Sequence, residues 1–214
     1  PAFAGADAVS SARSARTSAS RSMVASASSV NPTAGALEQL SAGASAVAAQ
    51  PTMMDNATII AALEAVEFVA AEAVSQLIGL SATTAKPLVE TLSGAGEAVR
   101  SELNSSGTAV LSDVIGERFL AALDAVADAV YVQSLCGEQS VSMHADSLTL
   151  SATILELGTL LSGVDNLIGA STAFPRGLPV FAHSLLAAGT NTSAVCLRGS
   201  ALATTLDPHS WSTL

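Results

Sequence analysis

Residues 120–151 read LAALDAVADAVYVQSLCGEQSVSMHADSLTLS, and the periodicity of the sequence changes within this stretch. Up to Val130 the apolar residues recur every three or four positions, which is typical of a helix that buries one face. After Cys136 the pattern alternates, because Ser140–Met143 and Ser147–Ser151 place apolar residues at every second position, as half-buried strands do. The stretch therefore predicts that a helical part of the chain gives way to a β-rich part.

Four segments with helical spacing precede this change in periodicity. They run through residues 37–47, 59–78, 88–99 and 111–130. We expect Asn31 to cap the first of these helices with Pro32 in its first turn, and Asp55 or Asn56 to cap the second. Helices of this length with short connections predict an antiparallel array. The stripes predict a shared core that includes Leu63, Val66, Leu77, Leu92, Phe119, Leu123 and Val126.

The region after residue 151 has few helical signals. Val180–Leu186 and Ala194–Leu206 are predicted strands, whereas Leu155–Leu161 fits either type of element. Helices first and strands afterwards predict an α+β fold rather than alternating βαβ units. We therefore divide the chain into a serine-, alanine- and arginine-rich helix or linker (1–30), a helical subdomain (31–135) and a smaller β-rich subdomain (136–214).

Composition excludes several classes of protein. Of 214 residues half are apolar, which is enough for a packed core, and the formal net charge is −10. A nucleic-acid-binding protein needs a basic surface, which an acidic chain with eight lysines and arginines lacks. The longest apolar stretch, Ala57–Leu80, contains Glu64, Glu67 and Glu72, so we predict no transmembrane segment within this chain.

The sequence contains no established catalytic motif. Glycine-rich phosphate loops, His-Glu-x-x-His and Gly-x-Ser-x-Gly are all absent. His144, His183 and His209 are far apart in sequence, which favours surface or packed histidines over a metal site. The three glutamates of residues 64–72 fit the solvated face of a helix better than a cation site. We expect a protein that is not an enzyme and that binds no cofactor or metal; a hydrolase with an unrecognisable site is a weaker alternative.

Cysteines and sequons point to the compartment. Cys136 and Cys196 can form one disulfide that closes a long loop, or remain two buried thiols, and we predict the disulfide because the chain otherwise looks secreted. Asn56, Asn104 and Asn191 each lie in an Asn-x-Ser/Thr sequon at a predicted helix end or loop. About one sequon is expected by chance in a chain of this composition. We expect all three asparagines to face solvent and carry N-linked glycans.

The N-terminal segment supports a competing hypothesis. The chain begins with Pro1, which indicates a processed product or a fragment. Residues 1–30 contain Arg13, Arg16 and Arg21 but a single acidic residue, a composition that is typical of organelle transit peptides. The alternative is therefore a plastid or mitochondrial assembly subunit, although a polar-faced helix or a serine-rich linker explains the same composition.

Three strings resemble one family. Residues 120–130 resemble the last helix of the helical half of the GAIN domain, the extracellular module of adhesion receptors and of polycystin-1-like proteins with a receptor-for-egg-jelly region. Residues 136–143 are similar to the entry into its β half. Cys196 followed by Ser210–Thr213 (Ser-Trp-Ser-Thr) resembles the opening of the family's proteolysis-site motif. The alanine bias also resembles algal polycystin-like proteins of cilia and ciliary hairs.

The resemblance implies an extracellular structural or interaction module of a larger glycoprotein. Its partners would be other protein chains or further domains of the same polypeptide. The chain departs from the family because it stops at Leu214, so the resemblance implies a β-rich subdomain that is truncated at its C-terminal end. The second motif cysteine and the cleavage tripeptide are absent, and His183–Leu185 has the wrong order to replace that tripeptide. Self-cleavage is therefore not assigned. The resemblance also implies a competing pairing, in which Cys196 bonds to a cysteine beyond Leu214.

Overall fold

The computed structural model describes residues 2–27, 33–106, 113–136, 138–156 and 196–204. Within these residues helices come first and strands follow, so the predicted α+β arrangement is confirmed. The elements are α1 (Ala2–Ala27), α2 (Ala34–Ala48), a 3-10 turn (Pro51–Met53), α3 (Asn56–Ser75), α4 (Ala82–Ser106), α5 (Asp113–Tyr131), β1 (Val141–His144), β2 (Leu148–Glu156) and β3 (Cys196–Thr204).

Two helix starts are set by side chains that accept backbone hydrogen bonds. Asp55 caps α3 as predicted, and its carboxylate accepts the N–H of Thr58 at 2.8 Å. The cap of α2 is Thr33, whose hydroxyl accepts the N–H of Ala36 at 3.3 Å. The prediction that Asn31 is this cap is wrong, because the hydroxyl three residues before Ala36 is the one that reaches a free amide of the first turn.

The end of α3 differs from the prediction. The apolar stripe extends to Ile78, but the helix ends at Ser75. Leu77 has a φ of 55° and Gly79 a φ of 65°, both in the left-handed region that a helix cannot continue through. The amides of Ile78 and Gly79 both donate to the carbonyl of Ala73, which closes the helix end. This turn redirects the chain into α4.

One hydrophobic core runs through the helices and the sheet. Six of the seven predicted core residues are buried, and Phe119 is the bulkiest of the fully buried side chains among the described residues. The prediction for Leu77 is wrong, since its side chain is 79% exposed. The reason is its left-handed backbone, which turns the side chain away from the stripe that α3 presents to the core.

The three strands form an antiparallel sheet in the order β1-β2-β3. Met143 of β1 pairs with Leu150 of β2, which pairs in turn with Leu202 of β3. The buried face of β1 and β2 packs against α4 and α5. A buried hydrogen bond of 2.8 Å joins the hydroxyls of Ser93 in α4 and Ser147 before β2. The predicted strand at 180–186 and the ambiguous residues 157–161 lie outside the described residues.

Candidate functional site

A disulfide joins the helical part of the chain to the sheet. Cys136 lies shortly after α5 and Cys196 is the first residue of β3, and their Cα atoms are 5.8 Å apart. The bond closes a loop between residues that are 60 positions apart in sequence. Cys136 is half-buried and Cys196 is exposed. Both of the chain's cysteines are therefore used within the chain.

Two further contacts reinforce this connection. The guanidinium of Arg198 in β3 lies 5.5 Å from the ring centroid of Tyr131 at the end of α5. Its Nη1 is 3.7 Å from Oδ1 of Asp128. An exposed cation–π contact contributes about 0.5–1 kcal/mol, and an exposed ion pair about 0–1 kcal/mol. The disulfide, on the order of 4 kcal/mol for a loop of this length, dominates. We call Cys136–Cys196 with these three residues the β3 clasp.

The structure places two of the three sequons. Asn56 is exposed at the first residue of α3, while Thr58 of the same sequon is fully buried. The Thr58 hydroxyl donates to Oδ1 of Asp55 at 2.7 Å and lies 2.8 Å from Oγ1 of Thr17 in α1. Asn104 belongs to the last turn of α4, and its predicted exposure stays a prediction. Asn191 lies outside the described residues, so its predicted exposure stays a prediction.

Two glutamates of α3 lie within ion-pair distance of an arginine of α5. Nη1 of Arg118 in α5 lies 3.1 Å from Oε1 of Glu64 and 3.9 Å from Oε2 of Glu67. Burial raises the pKa of Glu67; Arg118 opposes this rise and Glu64 adds to it. Glu72 instead accepts a hydrogen bond from the Gln76 amide at 3.0 Å. This face is thus partly an interhelical ion pair, and not wholly the solvated surface that the spacing predicts.

A cleft of about 520 Å³ lies between α2, α4 and the β1–β2 turn. Its ionisable lining residues are Lys86, Glu90, Glu97, His144 and Asp146. Nζ of Lys86 is 3.6 Å from Glu90, whose other oxygen accepts the Ser45 hydroxyl at 3.0 Å. Nδ1 of His144 lies 3.1 Å from the Thr149 hydroxyl. Ser45 thus bonds a carboxylate, Ser93 bonds Ser147 and His144 bonds a threonine, so no serine of this lining is hydrogen-bonded to the histidine, as an activated serine nucleophile would be.

Metal sites and membrane-spanning helices can be assessed for the described part of the chain. There, no three His, Cys, Asp or Glu side chains cluster as metal ligands would. In the helices of the described ranges, no stretch combines the length and the apolar character that crossing a membrane requires. His183 and His209 lie outside the described residues. No protein-family model, curated protein or solved structure matches the chain.

Arg118 and Thr17 are the residues that sequence reasoning missed. Arg118 is the single basic residue of α5, and its pairing with α3 could have been found by comparing the charges on the polar faces of the two helices. Thr17 lies in a serine- and alanine-rich helix without a distinguishing signal. Its contact with Thr58 depends on how α1 packs on α3, which local sequence does not determine.

Proposed function

We propose that this chain is a non-enzymatic extracellular module with a structural or interaction role in a larger glycoprotein. The observation that carries the proposal is the Cys136–Cys196 disulfide. Disulfides of this structural kind persist in oxidising compartments such as the secretory pathway and the cell surface. The bond links the segment that follows α5 to the first residue of β3, so its role is to hold the helical and β parts of the module together. The exposed position of Asn56 supports the same compartment.

The finer proposal is a GAIN-like module of a polycystin-like protein at the ciliary surface or in ciliary hairs. Its support is the order of the elements, with helices preceding the sheet, together with the strings at residues 120–130 and 136–143. In this proposal the partners are other protein chains or further domains of the same polypeptide. N-linked glycans at Asn56, Asn104 and Asn191 shield the surface.

The packing of α1 argues against its interpretation as a targeting segment, on which the organelle alternative rests. Nη2 of Arg16 donates to Oε1 of Gln50 at 2.6 Å, and Thr17 contacts Thr58. A targeting segment is removed from the mature protein and has no part in its packing. The arginines of this helix are therefore better explained as part of the folded module.

Mass spectrometry of the native chain, alkylated before reduction, tests the proposal. We expect a peptide pair linked through Cys136 and Cys196, with hexose-bearing peptides at the three sequons. Asn166, which is followed by Leu167 and Ile168, lies in no sequon and is the internal control that stays unmodified. Two alkylated cysteines together with unmodified asparagines would overturn the extracellular proposal in favour of the organelle.

A further inference from the structure

The Asn56 sequon is divided between an exposed and a buried residue. Asn56 presents its side chain to solvent at the start of α3. Thr58, two positions later, has no solvent-exposed surface. The two residues that together define the glycosylation signal therefore differ in accessibility once the chain has folded.

Thr58 is held by contacts on two sides. Its N–H and its hydroxyl both donate to Oδ1 of Asp55, at 2.8 Å and 2.7 Å. From the other side, Oγ1 of Thr17 in α1 approaches its hydroxyl to 2.8 Å. The backbone is also fixed, because the N–H of Ile59 donates to the carbonyl of Asp55 at 2.8 Å and begins the helix.

Glycan transfer needs the features that this fold conceals. The signal is Asn-x-Ser/Thr, so a transferase must read the hydroxyl two residues after the acceptor as well as the acceptor itself. In the reaction, the Asn56 amide nitrogen forms a bond to the sugar C1 of a lipid-linked oligosaccharide diphosphate. The C1–O bond breaks, the lipid diphosphate leaves with the electron pair, and the amide nitrogen loses one proton to a base of the enzyme. Reading Thr58 requires that it be pulled out of the helix and away from Thr17.

We propose that Asn56 is glycosylated only before α1 and α3 pack together, so that folding closes the site. The inference rests on the proposed function, because it requires passage through the secretory pathway. A glycan added early is accommodated after folding, since the Asn56 side chain points into solvent. A chain that folds first stays unmodified at this position. Occupancy at Asn56 therefore records the order of modification and folding.

Glycosylation of one chain in two states tests this order. The full chain carries Asn104→Gln and Asn191→Gln, so that Asn56 is the remaining acceptor. Two preparations are incubated with solubilised oligosaccharyltransferase and lipid-linked oligosaccharide. One is the purified folded chain, and the other is chain that has been reduced, unfolded in denaturant and diluted directly into the reaction. We expect the unfolded chain to be modified at least tenfold faster. Equal rates would overturn the proposed timing without contradicting secretion. If Asn56 is modified in neither state, nor during translation into microsomes, both this inference and the predicted glycan are overturned.

A variant in α1 tests the role of the Thr17 contact. Thr17→Ala removes the hydroxyl that faces Thr58, and we expect it to raise the modification rate of the folded chain several-fold. Ser18→Ala changes the exposed neighbouring residue of the same helix and is the matched control, with no expected change. Equal rates for Thr17→Ala and the parent chain would show that α1 does not protect the sequon.

Discussion

At the scale of single residues, Phe119 is the bulkiest fully buried side chain of the described residues. Its side chain is 1% exposed in the middle of α5. Truncation to alanine removes buried area and leaves a cavity, so Phe119→Ala is expected to lower the free energy of unfolding by about 3–5 kcal/mol. Urea denaturation measures the change. Val114→Ala on the same helix is the control, because Val114 is already 51% exposed and its loss should be small. Similar losses for both variants would contradict this account of the core.

Glu67 gives a prediction about pH. Its pKa in the folded chain lies above the usual 4.5, because burial disfavours the charged form. The folded state therefore binds this proton more tightly than the unfolded state, and stability falls as pH rises through the folded-state pKa. Glu67→Gln removes that fall, so its stability relative to the parent chain should increase as the pH rises above about 4.

Arg118→Met supplies the opposite test at the same place. Arg118 opposes the rise in the pKa of Glu67, so its removal should make the loss of stability with increasing pH steeper. Denaturant unfolding across the pH range measures both variants. If Glu67→Gln leaves the pH dependence unchanged, burial of this carboxylate does not matter for stability.

The sequence predicts the burial of single residues correctly where helical spacing alone determines which side chains face the core. Phe119, Leu63 and Leu92 are buried because they lie on apolar faces of continuous helices. Leu77 has the same spacing but lies beyond the helix end, and the spacing carries no information about where the backbone turns left-handed. Pairing across helices, as between Arg118 and Glu64, depends on packing and is similarly hidden from a single segment.

At the scale of elements, α4 packs tightly against the end of α2 at Gly94. A Cβ at this position would overlap the carbonyl oxygen of Ala48, which is backbone and cannot move aside alone. Gly94→Ala is therefore expected to destabilise the fold by about 1–3 kcal/mol, despite the better helix propensity of alanine. The matched control is Gly35→Ala in α2, where nothing lies within 4 Å of the added Cβ. It should be neutral or stabilising by up to about 1 kcal/mol.

Thermal or urea denaturation of these two variants distinguishes the explanations. Opposite signs are expected, because both gain helix propensity and only one forces two helices apart. A stabilised Gly94→Ala would mean that α2 and α4 can separate at little cost. The order of elements was predictable because periodicity changes after Val130, whereas the close approach of α2 and α4 has no signal in the sequence of either helix.

At the scale of the whole molecule, the β3 clasp and the continuous core make one unit of the helices and the sheet. Cys136→Ser combined with Cys196→Ser should lower the free energy of unfolding by about 4 kcal/mol, since the unfolded chain regains the entropy of an open loop. Urea denaturation of the double variant measures this change. The control is the parent chain with reductant, which should match the double variant. A change below about 1 kcal/mol would show that the bond adds little constraint.

The clasp also determines how far the molecule can lengthen under tension. With handles at Pro1 and Leu214, a pulling force on the unfolded, oxidised chain follows the backbone to Cys136, crosses the sulfur bridge and continues from Cys196, so the segment between the cysteines is not stretched. Reduction adds a segment of 60 residues to the pulled path, and at about 3.3–3.6 Å per extended residue the fully stretched chain gains about 200 Å. Optical-tweezer traces with and without a dithiol should differ by this contour length, and equal lengths would contradict the bridge. In an oxidised module the bond therefore limits the maximum extension: the helices can be pulled into extended chain, whereas the residues of β1 and β2, which lie between the two cysteines, cannot.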